Sequence, residues 1–258
     1  WRGPSSVLFG NYATGGAINF RTRPGGEING FEYGVDVGSY GYLNNYMTLG
    51  GKSGSFEYML FASDVRGEGH LDWSSFETQT INFLGTWSAT PNDKITVKVI
   101  YNHLDTDLSI RLSMNQYLTN PFQNGCKTAL LPGCGSARVF INGYNGAQVN
   151  LTAAQAGLGR DDHRTVVGTR WEHKFDDRTI WQVQYVLDDR NINQPTGATS
   201  AIGDFLSHNI ITSLRRDYEL FGMRARHLVS AFYNYLPNDS DTVNLKPGGN
   251  ATLGQRTQ

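Results

Sequence analysis

The side chains of this 258-residue chain that could do chemistry are few and scattered. His70, His103, His163, His173, His208 and His227 form no i,i+4 pair and no HExxH, the spacing that sets two imidazoles on one helix face around zinc. Asp161-Asp162-His163-Arg164 joins carboxylates to an imidazole and could serve a metal or an acid–base step. At a predicted loop-to-strand edge, a solvated polar group is the better reading, so no metal site is expected. Gly51-Lys52-Ser53 ends like a phosphate-binding loop. However, Tyr46 stands where that pattern needs its first glycine, and no helical pattern follows. No GxSxG is present, so no nucleophile constellation is visible. The expectation is a protein that is not an enzyme and needs no cofactor. Cys126 and Cys134, close together in a polar stretch with Gly and Pro, favour a disulfide in an oxidising compartment. Two free thiols, or half of a metal site, are the alternatives, and no CxxC or adjacent histidine pair supports zinc.

Composition narrows the class. A net charge of -1 lacks the basic surplus of a nucleic-acid binder, so no nucleic-acid partner is expected. Charged residues make up 17%, below the roughly 25% of an ordinary soluble domain. With 30 Gly, 13 Tyr and 13 Phe, this balance fits a β-barrel that meets lipid. No run of about 18 apolar residues encodes a transmembrane helix. The chain opens on Trp1-Arg2-Gly3-Pro4 with no signal-peptide pattern and stops on Arg256-Thr257-Gln258; both ends read as cuts.

The elements that must position these groups alternate with period two. Phe31, Tyr33, Val35 and Val37 fall on one face, and Glu32, Gly34, Asp36 and Gly38 on the other. Ile81, Phe83 and Trp87 repeat the pattern, as do Ile95, Val97, Val99 and Tyr101, and then Trp181, Val183, Tyr185 and Leu187. Weaker strand candidates lie around 209–219 and 227–235. Links near 51–55, 89–93, 175–178 and 221–226 are short, whereas those near 67–77, 106–162 and 191–208 are long. Antiparallel strands alternate in direction, so short turns collect at one edge and long loops at the other. That is the layout of an outer-membrane barrel. Tyr33, Tyr46, Phe56, Trp87, Tyr101, Trp171, Trp181 and Tyr185 are expected in its aromatic girdles. The rival is a soluble β-sandwich or β-helix, whose strands average about 5–6 residues and show no such two-sided bias.

Arg2, Gly3, Pro4, Ser6, Leu8, Phe9 and Gly10, followed by Gly15, Gly16, Ile18, Asn19, Thr22 and Arg23, carry a specific likeness. The stretch resembles the tail of the plug domain of TonB-dependent outer-membrane transporters, with Phe9 where that family often has Tyr. The "NYAT" segment before the glycines departs slightly from the commonest spacing. The resemblance implies an all-β fold: residues 1–26 as plug tail, and 27–258 as the first eight to ten of about 22 antiparallel transmembrane strands in an open, curled sheet. Arg2 could hold plug to barrel through an inward carboxylate, with Glu32, Asp36 and Glu57 as candidates; an Arg2 solvated in the lumen is the alternative.

The implied function is TonB-driven import of a scarce ligand, most often a ferric siderophore, across the bacterial outer membrane. The partners are that chelate, TonB and outer-membrane lipid. Loop cations and aromatics that suit a bulky anionic chelate are His70, Trp73, Arg111, Tyr117, Phe122, Lys127, Arg138 and Tyr144. A passive pore or adhesin would use the same barrel without a plug. A soluble all-β binding domain is the third reading.

Overall fold

The computed structural model describes Ile18 and residues 20–125, 134–141, 147–249 and 251–256. A single helical turn, α1 (Gly25–Ile28), leads into β1 (Gly30–Val37), β2 (Leu43–Ser53), β3 (Phe56–Gly67), β4 (Phe76–Ser88) and β5 (Asp93–Asp107). A long connection carries α2 (Met114–Thr119), the hairpin β6 (Ala137–Phe140) and β7 (Gln148–Leu151), and α3 (Ala153–Ala156). The sheet resumes with β8 (Gly159–Lys174), β9 (Thr179–Pro195), β10 (Thr199–Leu220), β11 (Met223–Tyr235), β12 (Asn238–Leu245) and β13 (Ala251–Arg256).

All strands except β6 and β7 join one antiparallel sheet, ordered β1-β2-β3-β4-β5-β8-β9-β10-β12-β13, with β11 also on β10. β11 pairs with 208–220 of β10 and β12 with 199–205, so the two act as one interrupted strand. Among the described residues β1 pairs only with β2 and β13 only with β12, so the sheet is open at both edges.

Register fixes two faces. Leu49, Leu60, Phe83, Val99, Val167 and Leu187 lie in one row across six strands, all on the same side. Phe56, Trp87, Ile95 and Trp171 form another row beside the short turns. From Ile95 to Tyr101 this face of β5 spans six residue steps, about 20 Å at the usual strand rise, close to the ~25 Å apolar band of an outer-membrane barrel. Among the described residues no second sheet covers it. Phe31 is 64% exposed, Trp87 48% and Ile210 43%. A soluble sandwich would bury these side chains, so the architecture excludes that rival.

Links at 54–55, 89–92, 175–178 and 221–222 lie at one edge of the sheet; those at 38–42, 68–75 and 108–158 lie at the other. Phe221 and Gly222 both adopt positive φ, 53° and 75°, as the tightest hairpin reversal demands. In the 175–178 turn, the Asp176 carboxylate accepts from the Arg178 amide and the Thr179 hydroxyl. Led by the Arg178 amide, these bonds hold it below the usual aspartate range.

Two expectations need correction. The segment 191–208 is not a long loop: β9 runs to Pro195 and β10 starts at Thr199, with Ser200 paired to Pro195. The polar, Gly-containing stretch that reads as loop is a hairpin extended past the apolar band, with Ile192 and Ser200 buried in it. Tyr46 belongs to the opposite face from the girdle aromatics. Its ring covers Gly34 of β1, where an added Cβ would lie 2.2 Å from Tyr46 Cζ.

The apolar face predicts an asymmetric response to charge. Val99→Arg should destabilise the protein refolded in lipid vesicles by about 2–4 kcal/mol, the cost of a cation near the bilayer midplane. Gln184→Arg, on the opposite face of β9, should cost well under half of that. Denaturant titration followed by tryptophan fluorescence reads both.

Candidate functional site

The face opposite the apolar band carries Glu32, Glu57, Lys98, Arg164, Arg170 and Gln184, by the same register. The segment leading into α1 lies against it. Glu57 Oε1 accepts from the Gly26 amide at 2.6 Å, and Lys98 Nζ donates to Thr22 Oγ1 at 2.6 Å. Arg23 forks onto Glu32, with Nη2 2.6 Å from Oε2 and Nη1 3.3 Å from Oε1. That hydrogen-bonded carboxylate raises the guanidinium pKa above its ordinary value. Gly25 makes the approach possible: a Cβ there would sit 1.8 Å from the Tyr58 carbonyl oxygen and 2.7 Å from that of Gly51. Between this segment and the wall lies a cavity of about 510 Å³, reached by Arg21, Thr22, Lys98, Arg170 and Gln184.

Of the four residues expected to join plug to barrel, Arg2 lies outside the described residues. Glu32 takes Arg23, and Glu57 takes a backbone amide. Asp36 instead accepts from Asn44 Nδ2 of β2 at 2.9 Å. Thus a carboxylate is met by a backbone donor, which no side-chain pattern announces.

Nearer the long connections the same face is ion-paired. Asp162, only 6% exposed, accepts from Arg160 and from Gln194 Nε2 at 2.8 Å, and Arg190 Nη2 stands 3.9 Å away. Arg164 grips Asp188 through Nε at 2.9 Å and Nη2 at 2.7 Å. This wall can hydrogen-bond a polar solute along its length.

The connection 108–158 folds into a cap with a dry core, in which Ile110, Ala137, Val139, Ala153, Ala156 and Leu158 meet Leu245 of β12. Ser113 and Thr152 close capping boxes on α2 and α3. Gln116 Nε2 donates to the Cys134 carbonyl at 2.8 Å, and the Gly135 amide donates to Gln123 Oε1 at 2.9 Å. Cys134 is disulfide-bonded, and Cys126, the other cysteine of the chain, lies outside the described residues.

The structure brings several loop candidates to this cap. Tyr117 and Phe122 are 55% and 50% exposed around α2, and Arg111 and Arg138 are exposed. The 68–75 link docks there too, as the Asp72 amide donates to the Phe122 carbonyl at 3.3 Å. Trp73 is placed differently. Its indole N–H donates to the Leu158 carbonyl at 2.8 Å and its ring packs on the cap core, so it serves architecture. His70 stacks edge-on against Tyr40, with ring centroids 6.3 Å apart. Lys127 and Tyr144 lie outside the described residues.

On the apolar side, strand pairing creates what linear spacing did not show. His103 faces His163 directly, and Asp161 joins them. Of the Asp161–Arg164 run, Asp161 and His163 therefore take one face while Asp162 and Arg164 take the other.

An open antiparallel wall, apolar on one face and ion-paired on the other, with a chain segment lodged against the polar face, has the architecture of part of an outer-membrane β-barrel. No family model and no curated protein sequence matches the chain. Solved structures do match its fold. The siderophore receptor PiuA from Acinetobacter baumannii aligns over 93% of this chain at TM-score 0.68 and 14% identity. The ferripyoverdine receptor of Pseudomonas aeruginosa aligns over 100% at TM-score 0.67 and 15% identity, and the ferric-catecholate import receptor Fiu from K12 E. coli over 100% at 0.67 and 10%. The chain spans 35%, 36% and 40% of those three chains, respectively. Its fold is that of part of a siderophore-receptor barrel.

The close seat of Gly25 predicts that Gly25→Ala displaces the segment before β1, because the added methyl meets backbone that cannot yield. Trypsin cleavage after Arg21 should become several-fold faster than in the unmodified protein. Glu57→Gln, which keeps the shape but weakens the bond to Gly26, should give a smaller increase.

Proposed function

We propose that the chain is the plug-proximal part of a TonB-dependent outer-membrane receptor that imports a ferric siderophore. In this reading residues 1–26 end the plug, residues 27–258 form barrel wall, and the protein resides in the bacterial outer membrane. It is a transporter and not an enzyme. The observation that carries the reading is the segment 20–28 seated on the ion-paired inner face of a wall whose fold matches siderophore receptors. A passive pore needs an open lumen, and in this reading the segment and the plug before it would fill it. The capped connection 108–158 supplies exposed Arg111, Tyr117, Phe122 and Arg138 as the chelate-facing set. TonB would pull on the plug, and the girdle aromatics would face outer-membrane lipid.

The test is uptake of radiolabelled iron, supplied as a panel of hydroxamate, catecholate and citrate chelates, by cells that depend on the full-length protein. Uptake should require TonB, rise under iron limitation and vanish when the plug is deleted. Uptake of none of these chelates, or passive leakage of small solutes through the unmodified protein, would sink the reading. Arg111→Ala combined with Arg138→Ala should weaken binding of the transported chelate by about tenfold or more, the size of losing a charge-assisted contact.

A further inference from the structure

His103 of β5 and His163 of β8 are opposed in register on the sheet face turned away from the lodged segment. Their imidazoles stack with centroids 4.1 Å apart and planes 6° from parallel. Asp161 precedes His163 by two residues and shares its face. Its Oδ1 lies 3.1 Å from His103 Nε2 and 3.3 Å from His163 Nε2. All three groups reach solvent, with side-chain exposures of 29%, 43% and 54% for His103, His163 and Asp161.

The Asp161 oxygen stands at a ligand-to-ligand separation from both imidazole nitrogens, and the stacked rings must tilt out of parallel for both Nε2 lone pairs to converge on one ion. An ion bound at about 2.0–2.1 Å in a tetrahedron holds its ligand atoms roughly 3.3 Å apart. Tyr101 supplies an outer contact: its hydroxyl lies 3.5 Å from His163 Nδ1, placed to accept the N–H that remains when Nε2 binds metal.

We propose that His103, Asp161 and His163 form a binding site for a divalent transition metal of the zinc, nickel or copper type. Two imidazoles and one carboxylate select such ions over magnesium and calcium, which favour all-oxygen shells. The three ligands leave a fourth position for water or an outside group. The site lies on the outer face, beyond Tyr101 toward the long connections, so it is off the lumen and independent of the import reading. A bound ion would tie β5 to β8 at the root of the 108–158 cap.

The test is calorimetric titration of zinc sulfate into the full chain in detergent, unmodified and as His103→Gln, His163→Gln, Asp161→Asn and, as a control, His227→Gln. Heat-dependent gel mobility verifies that each variant retains its barrel. One site of micromolar affinity is expected, about tenfold or more weaker in either His103→Gln or His163→Gln, several-fold weaker in Asp161→Asn and unchanged in the control. Copper electron paramagnetic resonance should show two imidazole nitrogens in the unmodified protein and one in each of those histidine variants. Absence of saturable binding below about 1 mM, or undiminished binding in both histidine variants, would overturn the proposal.

Discussion

The structure depends on one requirement: a wide apolar sheet face that no other element among the described residues covers. In water such a surface would drive aggregation, at roughly 25 cal/mol for each Å² left wet. Hydrocarbon removes that penalty but imposes another, because it leaves no partner for an unpaired amide or carbonyl. Long antiparallel ladders meet both conditions. β5, β8, β9 and β10 carry their pairing continuously across the apolar band and past it, with Asp93–Asp107 matched to 159–173 without a break. Strand length is therefore set by membrane thickness plus the height of the walls beyond it, and not by the size of a core.

The opposite face is free of that demand and carries charge. Its ion pairs are largely internal, such as Arg164 with Asp188 and Arg160 with Asp162, which keeps a hydrated wall from attracting ions indiscriminately. Among the described residues the lodged segment meets the wall through one forked salt bridge, two further hydrogen bonds, a glycine seat and the packing of Ile28 over Gly50. The salt bridge is about half exposed, so screening leaves it little holding strength. A seat built this way positions the segment closely yet can release it without dismantling the wall.

Much of this was legible in the sequence because the signal was local. Alternation along Phe31–Val37, Ile95–Tyr101 and Trp181–Leu187 assigned faces that the register reproduces. Tyr46 escaped because an aromatic residue that covers a glycine inside looks, one residue at a time, like one that faces lipid outside. The 191–208 hairpin escaped because its apolar residues, Ile192, Ile202, Phe205 and Leu206, keep no sustained period-two spacing. The trio of His103, Asp161 and His163 was invisible for a different reason. Its members are 58 residues or more apart along the chain except for Asp161 and His163, and only strand register brings them together.

The cap shows why the longest connection escaped any pattern and what the proposed chelate-facing residues stand on. Its dry core draws on residues as distant as Ile110 and Leu245, so no periodicity within the segment announces it. Among the described residues that cluster, not the sheet, holds most of the fully buried apolar side chains: Val139, Ala153, Ala156 and Leu245 are all 0% exposed. The described part of the connection has its own core, two capped helices and a disulfide at Cys134, all formed without a ligand. Side chains carried on it lose less conformational freedom on binding than side chains on a loose loop, so more of each contact survives as affinity. The proposed chelate-facing residues Tyr117 and Phe122 flank Gln116 and Gln123, the two amides that lash α2 to the Cys134 strand entry. Substituting either glutamine would therefore weaken binding without removing a single ligand contact, because it loosens the platform on which those aromatic rings stand.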